Sequence, residues 1–429
     1  GYDRIRDAFR SKSEIAYQGA VQRLDNKRTH LKQNPKPADN AVVPEFKRMP
    51  PAVWIGPSAL TIPCPVTDME QLSNRLSKVF SDYPELFNHC VKVYQKRVDY
   101  YRLTSEGQKI LQPDTVFHIT ARASIKTDGN EVKTEYYRLH VGGINDLPSE
   151  DALIGELHRF AEYMQQKNRA KAVEDLYIGP VLYEDDAAME LLAEKIADYS
   201  HSYWISIRNQ SDRKHRYLGK QVFPPALSVC QLGNDSVYNG VKLLGYRQVD
   251  ADGTKPKTLP IIEKGILKHM LTGRTPSLGC PASTGNEHFD GLSRTLETRY
   301  TAGVFRVTSN RPVPYSKLYK RFLKAAKKAG LEHTYIIRKN RTSPYALIRV
   351  DLSTGKEELV EGNYNSPSRE QFKRMHAISK EENVYNLDPA GGKGLGIISP
   401  KAILLEDMEL DITPSRARHI DEAFYELRH

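Results

Sequence analysis

The sequence predicts an α+β protein: an N-terminal domain with helices on an antiparallel sheet, then an antiparallel, β-rich and barrel-like C-terminal domain. Three observations predict it. At 429 residues and 48.8 kDa the chain is too long for one ordinary core. Helical spacing of apolar residues is concentrated in the first 172 positions, around one block of strict alternation. Beyond residue 176, short β-branched and aromatic runs are punctuated by Asp-Gly, Lys-Gly and Thr-Gly pairs. The expected division is 1–57 as helix and linker, 58–175 as the N-terminal domain, and 176–429 as the β-rich domain with a helical tail.

Residues 2–33 lack proline and space Ile5, Phe9, Ile15, Ala16, Ala20, Leu24 and Leu31 among charges, which predicts a long surface helix. The 34–57 stretch holds five prolines before Pro57 and reads as an extended linker. A Thr67 or Asp68 cap, followed by Met69, Leu72, Leu76, Val79 and Phe80, predicts a helix over 66–86. From 90 to 143 the period becomes two, broken at Ser105-Glu106-Gly107 and Asp128-Gly129-Asn130, so hairpins are expected. A capped helix over 148–172 and a strand over 175–184, interrupted at Gly179-Pro180, follow.

In the second half, strands are expected at 221–231, 241–249, 258–263, 266–271, 303–308, 334–338, 344–351, 357–361 and 396–408. Asp252-Gly253 and Lys264-Gly265 read as tight turns of two successive hairpins. Helices are expected at 314–329 and 367–379, and a helical tail after 412. No period of 20–50 residues repeats, which excludes solenoids and propellers.

Composition narrows the function classes. No apolar run is long enough to span a membrane as a helix. Cys64, Cys90, Cys230 and Cys280 form no CxxC pair, so neither a zinc knuckle nor a disulfide framework is indicated. The formal charge of +10 raises nucleic acid as a partner. Its densest basic group, 315–330, places lysines opposite Leu318, Phe322, Leu323 and Ala326, the pattern of a solvated helix face, so nucleic-acid binding is not expected. The chain starts at Gly1, which fits either a removed leader or a cut chain.

Signatures of the common enzyme classes, GxGxxG, GxxxxGK[ST], GxSxG and HExxH, are lacking. His158 and Glu162 have a spacing that can share a metal, but it is first that of an exposed helix pair. His201 and His215 flank a polar segment that reads as a loop. The 279–291 loop, "GCPASTGNEHFDG", gathers Ser283, Thr284, Gly285, Asn286, Glu287 and His288 and is the candidate binding segment, because small residues let a backbone approach a ligand. The alternative is a polar connection whose residues satisfy turn geometry alone.

Residues 176–412 resemble the TldD/PmbA proteins, the modulators of DNA gyrase now viewed as metallopeptidases. The resemblance is carried by "GPVLYEDDAAMELLAE", "LGKQVFPPALSV", the stretch from "LLGYRQVDADG" to "LTGRTP", "STGN", "ALIRVDLSTGKEELVEG" and "GIISPKAILLEDMEL", in family order. It implies that a helix carrying HExxxH, with a late cysteine, holds zinc in peptidase-competent members. Aligned here, Ala193 takes the place of the first histidine, Glu194 that of the glutamate and Asp198 that of the second histidine; no cysteine follows Cys280. The expectation is therefore a catalytically degenerate, non-catalytic peptide-binding subunit with no cofactor, paired as a homodimer or with a TldD-like subunit, and receiving an extended peptide. Glu190, Glu194 and Asp198 would be an exposed acidic helix face or, failing that, a hard-cation site. Two other readings stand beside it: an active peptidase with a non-standard zinc site at His269, Cys280 and His288, and a basic gyrase-associated or nucleic-acid factor. The long N-terminal helix and proline-rich linker also resemble exported family members, which points toward an extracytoplasmic bacterial protein.

Overall fold

The computed structural model describes residues 1–33, 48–56, 64–126, 132–200, 214–274, 280, 282–289, 298–300, 303–343, 345–387 and 394–413. Helix α1 (Tyr2–Gln33) is exposed along almost its whole length. The N-terminal sheet is built from the long strands Leu86–Leu103 and Lys109–Lys126 and from Val132–Val141, all antiparallel, with Val53–Ile55 added in parallel. Alternating burial along Lys109–Lys126 places Phe117, Ile119, Ala121, Ala123 and Ile125 on one face. That face is covered by α2 (Val66–Ser77) through Leu72 and Leu76, and by α3 (Glu150–Arg169) through Leu153, Leu157, Phe160 and Met164. The helix expected to run to 86 stops at Ser77 and tightens into a 3-10 turn, Lys78–Asp82, which turns Val79 and Phe80 into the core.

The remaining strands form two larger sheets. The first joins six strands in the order Ile266–Leu267, Leu259–Glu263, Leu227–Gln231, Val304–Ser309, Leu395–Pro400 and Glu382–Leu387. The second joins seven, from Met375–Ile378 through Ala402–Ile412, Asp175–Asp185, His333–Lys339, Ala346–Asp351 and Glu357–Glu361 to Lys171–Ala172. Both are mixed rather than purely antiparallel, because Val304–Ser309 runs parallel to Leu395–Pro400 and His333–Lys339 parallel to Asp175–Asp185. Neither sheet closes into the expected barrel; each keeps two edges.

Helix α4 (Asp186–Ser200) lies between these sheets. Ala187, Ala188, Met189, Leu191, Leu192, Ile196 and Tyr199 share a core with Val229, Ile262, Phe305 and Ile397 of one sheet and Val181, Tyr335, Ile337 and Ile403 of the other. Helix α5 (Tyr315–Lys328) covers the far face of the seven-stranded sheet with Leu318, Phe322 and Ala326, leaving its lysines outward.

Other expectations change at particular places. Over 241–249 only Val241–Lys242 is strand, since Arg247 donates to the carbonyls of Leu244 and Tyr246 at 2.6 and 2.7 Å and holds the chain as a loop. Within 221–231 the strand is Leu227–Gln231. The 367–379 helix shrinks to α6 (Arg369–Lys373), started by a Ser368 and Gln371 capping box and ended where Met375–Ile378 joins the sheet beside Ala402–Ile412. The single strand expected over 396–408 is two, one in each large sheet, divided at Lys401. Asp252-Gly253 turns a loop closed by the Asp250 carboxylate, which accepts from the N–H groups of Asp252 and Thr254 at 2.9 Å each; no strands flank it. Lys264-Gly265 does turn a hairpin, with both residues at positive φ. The expected tail after 412, most of the linker and the Asp128-Gly129-Asn130 turn lie outside the described residues.

The two halves are stitched together. Thr342–Ser343 adds to the N-terminal sheet beside Val132–Val141, Arg247 pairs with Asp114 at 2.8 Å, and the Trp54 indole donates to Gln248 at 2.9 Å.

Candidate functional site

The strand Asp175–Asp185 hands over directly to α4, and Asp185 makes the corner at φ +53°. Asp186 then sits at the start of α4 and accepts from the Arg341 N–H at 2.6 Å; burial pushes its carboxyl up to about 6. Because α4 is buried between sheets, its positions toward the C-terminal end have fixed surroundings. Ala193 is half-buried and packs on the central core. Glu194 points outward, with its side chain 52% exposed; Lys195 donates to one carboxylate oxygen at 2.7 Å and the Ser366 hydroxyl to the other at 3.1 Å. One turn earlier, Glu190 accepts from Lys339 and from the Tyr345 hydroxyl, the latter at 2.8 Å. These two carboxylates are therefore each partnered rather than a bare acidic face. The side chain of Asp198, and residues 388–393 where a late ligand would fall, lie outside those described.

Beside Glu194 opens a cavity of about 370 Å³, a size that small ligands and side chains occupy. It lies where α3 meets the seven-stranded sheet, with Lys167, Glu361, Tyr183, Tyr345 and Tyr364 in its lining. Tyr183 is 3% exposed, and its hydroxyl has no hydrogen-bond partner among the described residues. Burial, first, then the neighbouring Tyr345 and Glu194, hold that phenol far above its ordinary range. These tyrosines were not singled out in the sequence. The one local signal was Tyr183 itself, an aromatic with a polar tip in an otherwise apolar strand just before the acidic corner.

The loop read as the candidate binding segment is arranged differently. Ser283, Thr284, Asn286, Glu287 and His288 are all buried. Ser283 accepts from the Gly285 N–H at 3.1 Å, and the Thr284 hydroxyl accepts from the Thr272 N–H at 2.8 Å. Asn286 and Gln231 exchange amide hydrogen bonds at 2.7 and 3.0 Å. Gly285 has φ +77°, and a Cβ there would lie 2.6 Å from the backbone of Pro256, so glycine is required by the fold. Glu287 donates its N–H to Asp250 at 3.2 Å. There the loop meets a buried acidic cluster in which burial lifts Asp250 to about 7; burial and the adjoining Glu287 carboxyl lift Asp252 to about 7 as well. Arg102, from the N-terminal sheet, approaches Asp252 at 2.8 Å, and Arg274 pairs with Glu106 in the turn that follows the Arg102 strand.

His269 places Nδ1 2.7 Å from the Pro260 carbonyl, and His158 lies 3.0 Å from the Tyr83 hydroxyl. His201 lies outside the described residues, as does the side chain of His215. Among the described residues no three His, Cys, Asp or Glu side chains are placed to hold a metal ion, and no helix is long and apolar enough to cross a membrane.

Residues 178–312 match the family model of the PmbA/TldA metallopeptidase C-terminal domain. A comparison with curated proteins finds no match. Among solved structures, a candidate modulator of a DNA gyrase from Thermotoga maritima superposes with a TM-score of 0.58 at 13% identity, over 87% of this chain and 81% of that one. A second such candidate, from Bacteroides thetaiotaomicron, gives 0.54 at 14% identity over 86% and 77%. TldE from Thermococcus kodakarensis gives 0.55 at 12% identity over 88% and 81%. At these identities the likeness is one of fold, and it extends over the N-terminal helix-and-sheet region that the family model leaves unmatched. Residues 178–312 therefore carry a PmbA/TldA-type C-terminal domain, and nearly nine tenths of the chain shares the fold of these solved structures.

Proposed function

We propose that this chain is a non-catalytic, peptide-binding subunit of a TldD/PmbA-type proteolytic or peptide-maturation complex, paired with a TldD-like subunit that supplies the metal chemistry. One observation carries the reading: where the family resemblance would put a first zinc ligand and its glutamate, the Ala193 methyl packs on the core and the Glu194 carboxylate is tied to Lys195 and Ser366. A hydrolytic zinc takes about three protein donors and an open position for water. A methyl group and a partnered carboxylate do not fit it. The fold likeness to a TldE supports a paired arrangement. The peptide-binding part rests on the cavity beside α4 and on the sheet edge next to it, where the two-residue strand Lys171–Ala172 is short enough for an added strand to extend.

The test is a casein-fragment cleavage assay with zinc supplied, on the chain alone and after mixing with a TldD-like protein from the same source. The chain alone is expected to leave the peptide intact and to retain well under one zinc per molecule on dialysis; the mixture cuts. Cleavage by the chain alone that Glu194→Gln abolishes would overturn the proposal.

A further inference from the structure

We infer that the cavity beside α4 selects a basic side chain, the guanidinium of arginine or the ammonium of lysine, from the peptide it receives. The inference rests on the peptide-binding reading above and adds the chemical class that the site prefers.

Three features converge. The rings of Tyr345 and Tyr364 stand 6.0 Å apart, inclined at 60°, and Tyr183 lines the same cavity, so aromatic faces come from three separate parts of the chain. Aromatic faces attract cations through the ring quadrupole. The protein already uses this chemistry here, since the Lys339 ammonium lies 5.1 Å over the Tyr345 ring. Second, the buried Tyr183 hydroxyl has no partner among the described residues, and a phenol oxygen can accept from the N–H groups of a cation. A buried polar group left unpaired is costly, so a ligand group that reaches it supplies a bond the protein does not. Third, the half-exposed Glu194 carboxylate stands at the cavity wall with lone pairs beyond those used by Lys195 and Ser366.

The electrostatics agree. After burial, the groups holding Tyr364 far above its ordinary range are Tyr183, Tyr345, Glu190 and Glu194, all of which disfavour further negative charge. The same two glutamates act on Tyr345. Lys167, the cation in the lining, is held by the buried Glu135, with Glu361 beside it bound to Lys133 at 2.6 Å, so it has no net attraction for an anion. A basic residue entering the cavity meets aromatic faces and the half-exposed Glu194 carboxylate; an acidic residue meets Lys167, whose charge Glu135 already takes up.

Isothermal titration calorimetry of the full chain tests this with the acetylated, amidated pentapeptide Ala-Ala-Arg-Ala-Ala and its citrulline counterpart, which keeps the shape and loses the charge. The arginine peptide is expected to bind about tenfold tighter. Tyr183→Phe should weaken the arginine peptide several-fold while leaving the thermal unfolding midpoint unchanged or higher, because no existing hydrogen bond is removed. Glu194→Gln should narrow the gap between the two peptides. Equal binding of both peptides overturns the charge selectivity and leaves peptide binding standing; no heat from either at millimolar concentration overturns both. A Tyr183→Phe chain that binds the arginine peptide as well as the parent removes the hydroxyl from the site.

Discussion

The loop from Ala282 to Phe289 and the cavity wall beside α4 are both rich in hydrogen-bonding side chains, and they differ in whether that capacity is already spent. In the loop, the Ser283, Thr284 and Asn286 side chains are bonded to the chain itself, down to a reciprocal amide pair with Gln231. At the cavity, a lining tyrosine as deeply buried as those residues has a hydroxyl with no hydrogen-bond partner among the described residues. Polar composition alone therefore does not mark a binding segment. Buried polar groups must be satisfied, and a loop can meet that demand internally. The informative feature is residual capacity beside a void.

If the loop is a structural lock, disturbing it should cost stability, with the largest effect at the acidic cluster it closes over. Asp250 and Asp252 keep their protons in the folded chain up to about 7, whereas an unconstrained aspartate releases its proton near 3.8. Between those values the folded state binds more protons than the unfolded one, so stability falls as pH rises through this window and levels off above it. Asp186 and Glu135, raised to about 6 and about 7, act in the same direction. The urea midpoint should therefore correspond to on the order of a few kcal/mol more stability near pH 5 than near pH 8. Asp252→Asn should flatten that slope; a slope unchanged by the substitution would show that the cluster titrates as ordinary surface carboxylates do. Next in size is Asn286→Ala, which strands the Gln231 amide oxygen, the amide nitrogen still donating to the Lys257 carbonyl, and removes the bond from Thr284; a loss of about 2 kcal/mol is expected by denaturant titration. A loss below about 1 kcal/mol would mean that water replaces the amide freely and that the loop is open after all.

Much of this architecture could be read locally. The spacing of Leu72 with Leu76, of Leu153 with Leu157 and Phe160, and of Leu318 with Phe322 and Ala326 names three helices and the face each buries. What was not legible is whatever depends on a distant partner. The β-branched and aromatic run at 334–338 identifies a strand but not that its neighbour is Asp175–Asp185, running parallel. The 241–249 run has strand-forming residues, yet Arg247 satisfies the carbonyls that a ladder would use. Helix α4 reads as amphipathic with an acidic face; only the closing of two sheets over it makes it a central, mostly buried helix whose glutamates find Lys339, Lys195 and Ser366. The cavity is the extreme case, because Tyr183, Tyr345 and Tyr364 come from different elements and no short window contains them.

The smallest expected effect gives the sharpest test of the contrast between spent and unspent polar groups. Tyr177 and Tyr183 lie on the same strand and are equally buried, each 3% exposed. The Tyr177 hydroxyl donates to the Pro180 carbonyl at 2.7 Å and lies 2.8 Å from the Thr334 hydroxyl, which itself reaches Pro180 at 2.8 Å. Removing that oxygen in Tyr177→Phe should cost about 1–2 kcal/mol, moderated because Thr334 still serves the Pro180 carbonyl. Tyr183→Phe deletes an oxygen with nothing to lose and relieves an unsatisfied buried group, so its change should be near zero or slightly stabilising. Paired thermal melts of the two variants decide the matter without any ligand. Equal losses would mean that the Tyr183 hydroxyl has a partner in the folded chain, most simply an ordered water, and the cavity would then be a hydrated seam between domains rather than a pocket with a bond to offer.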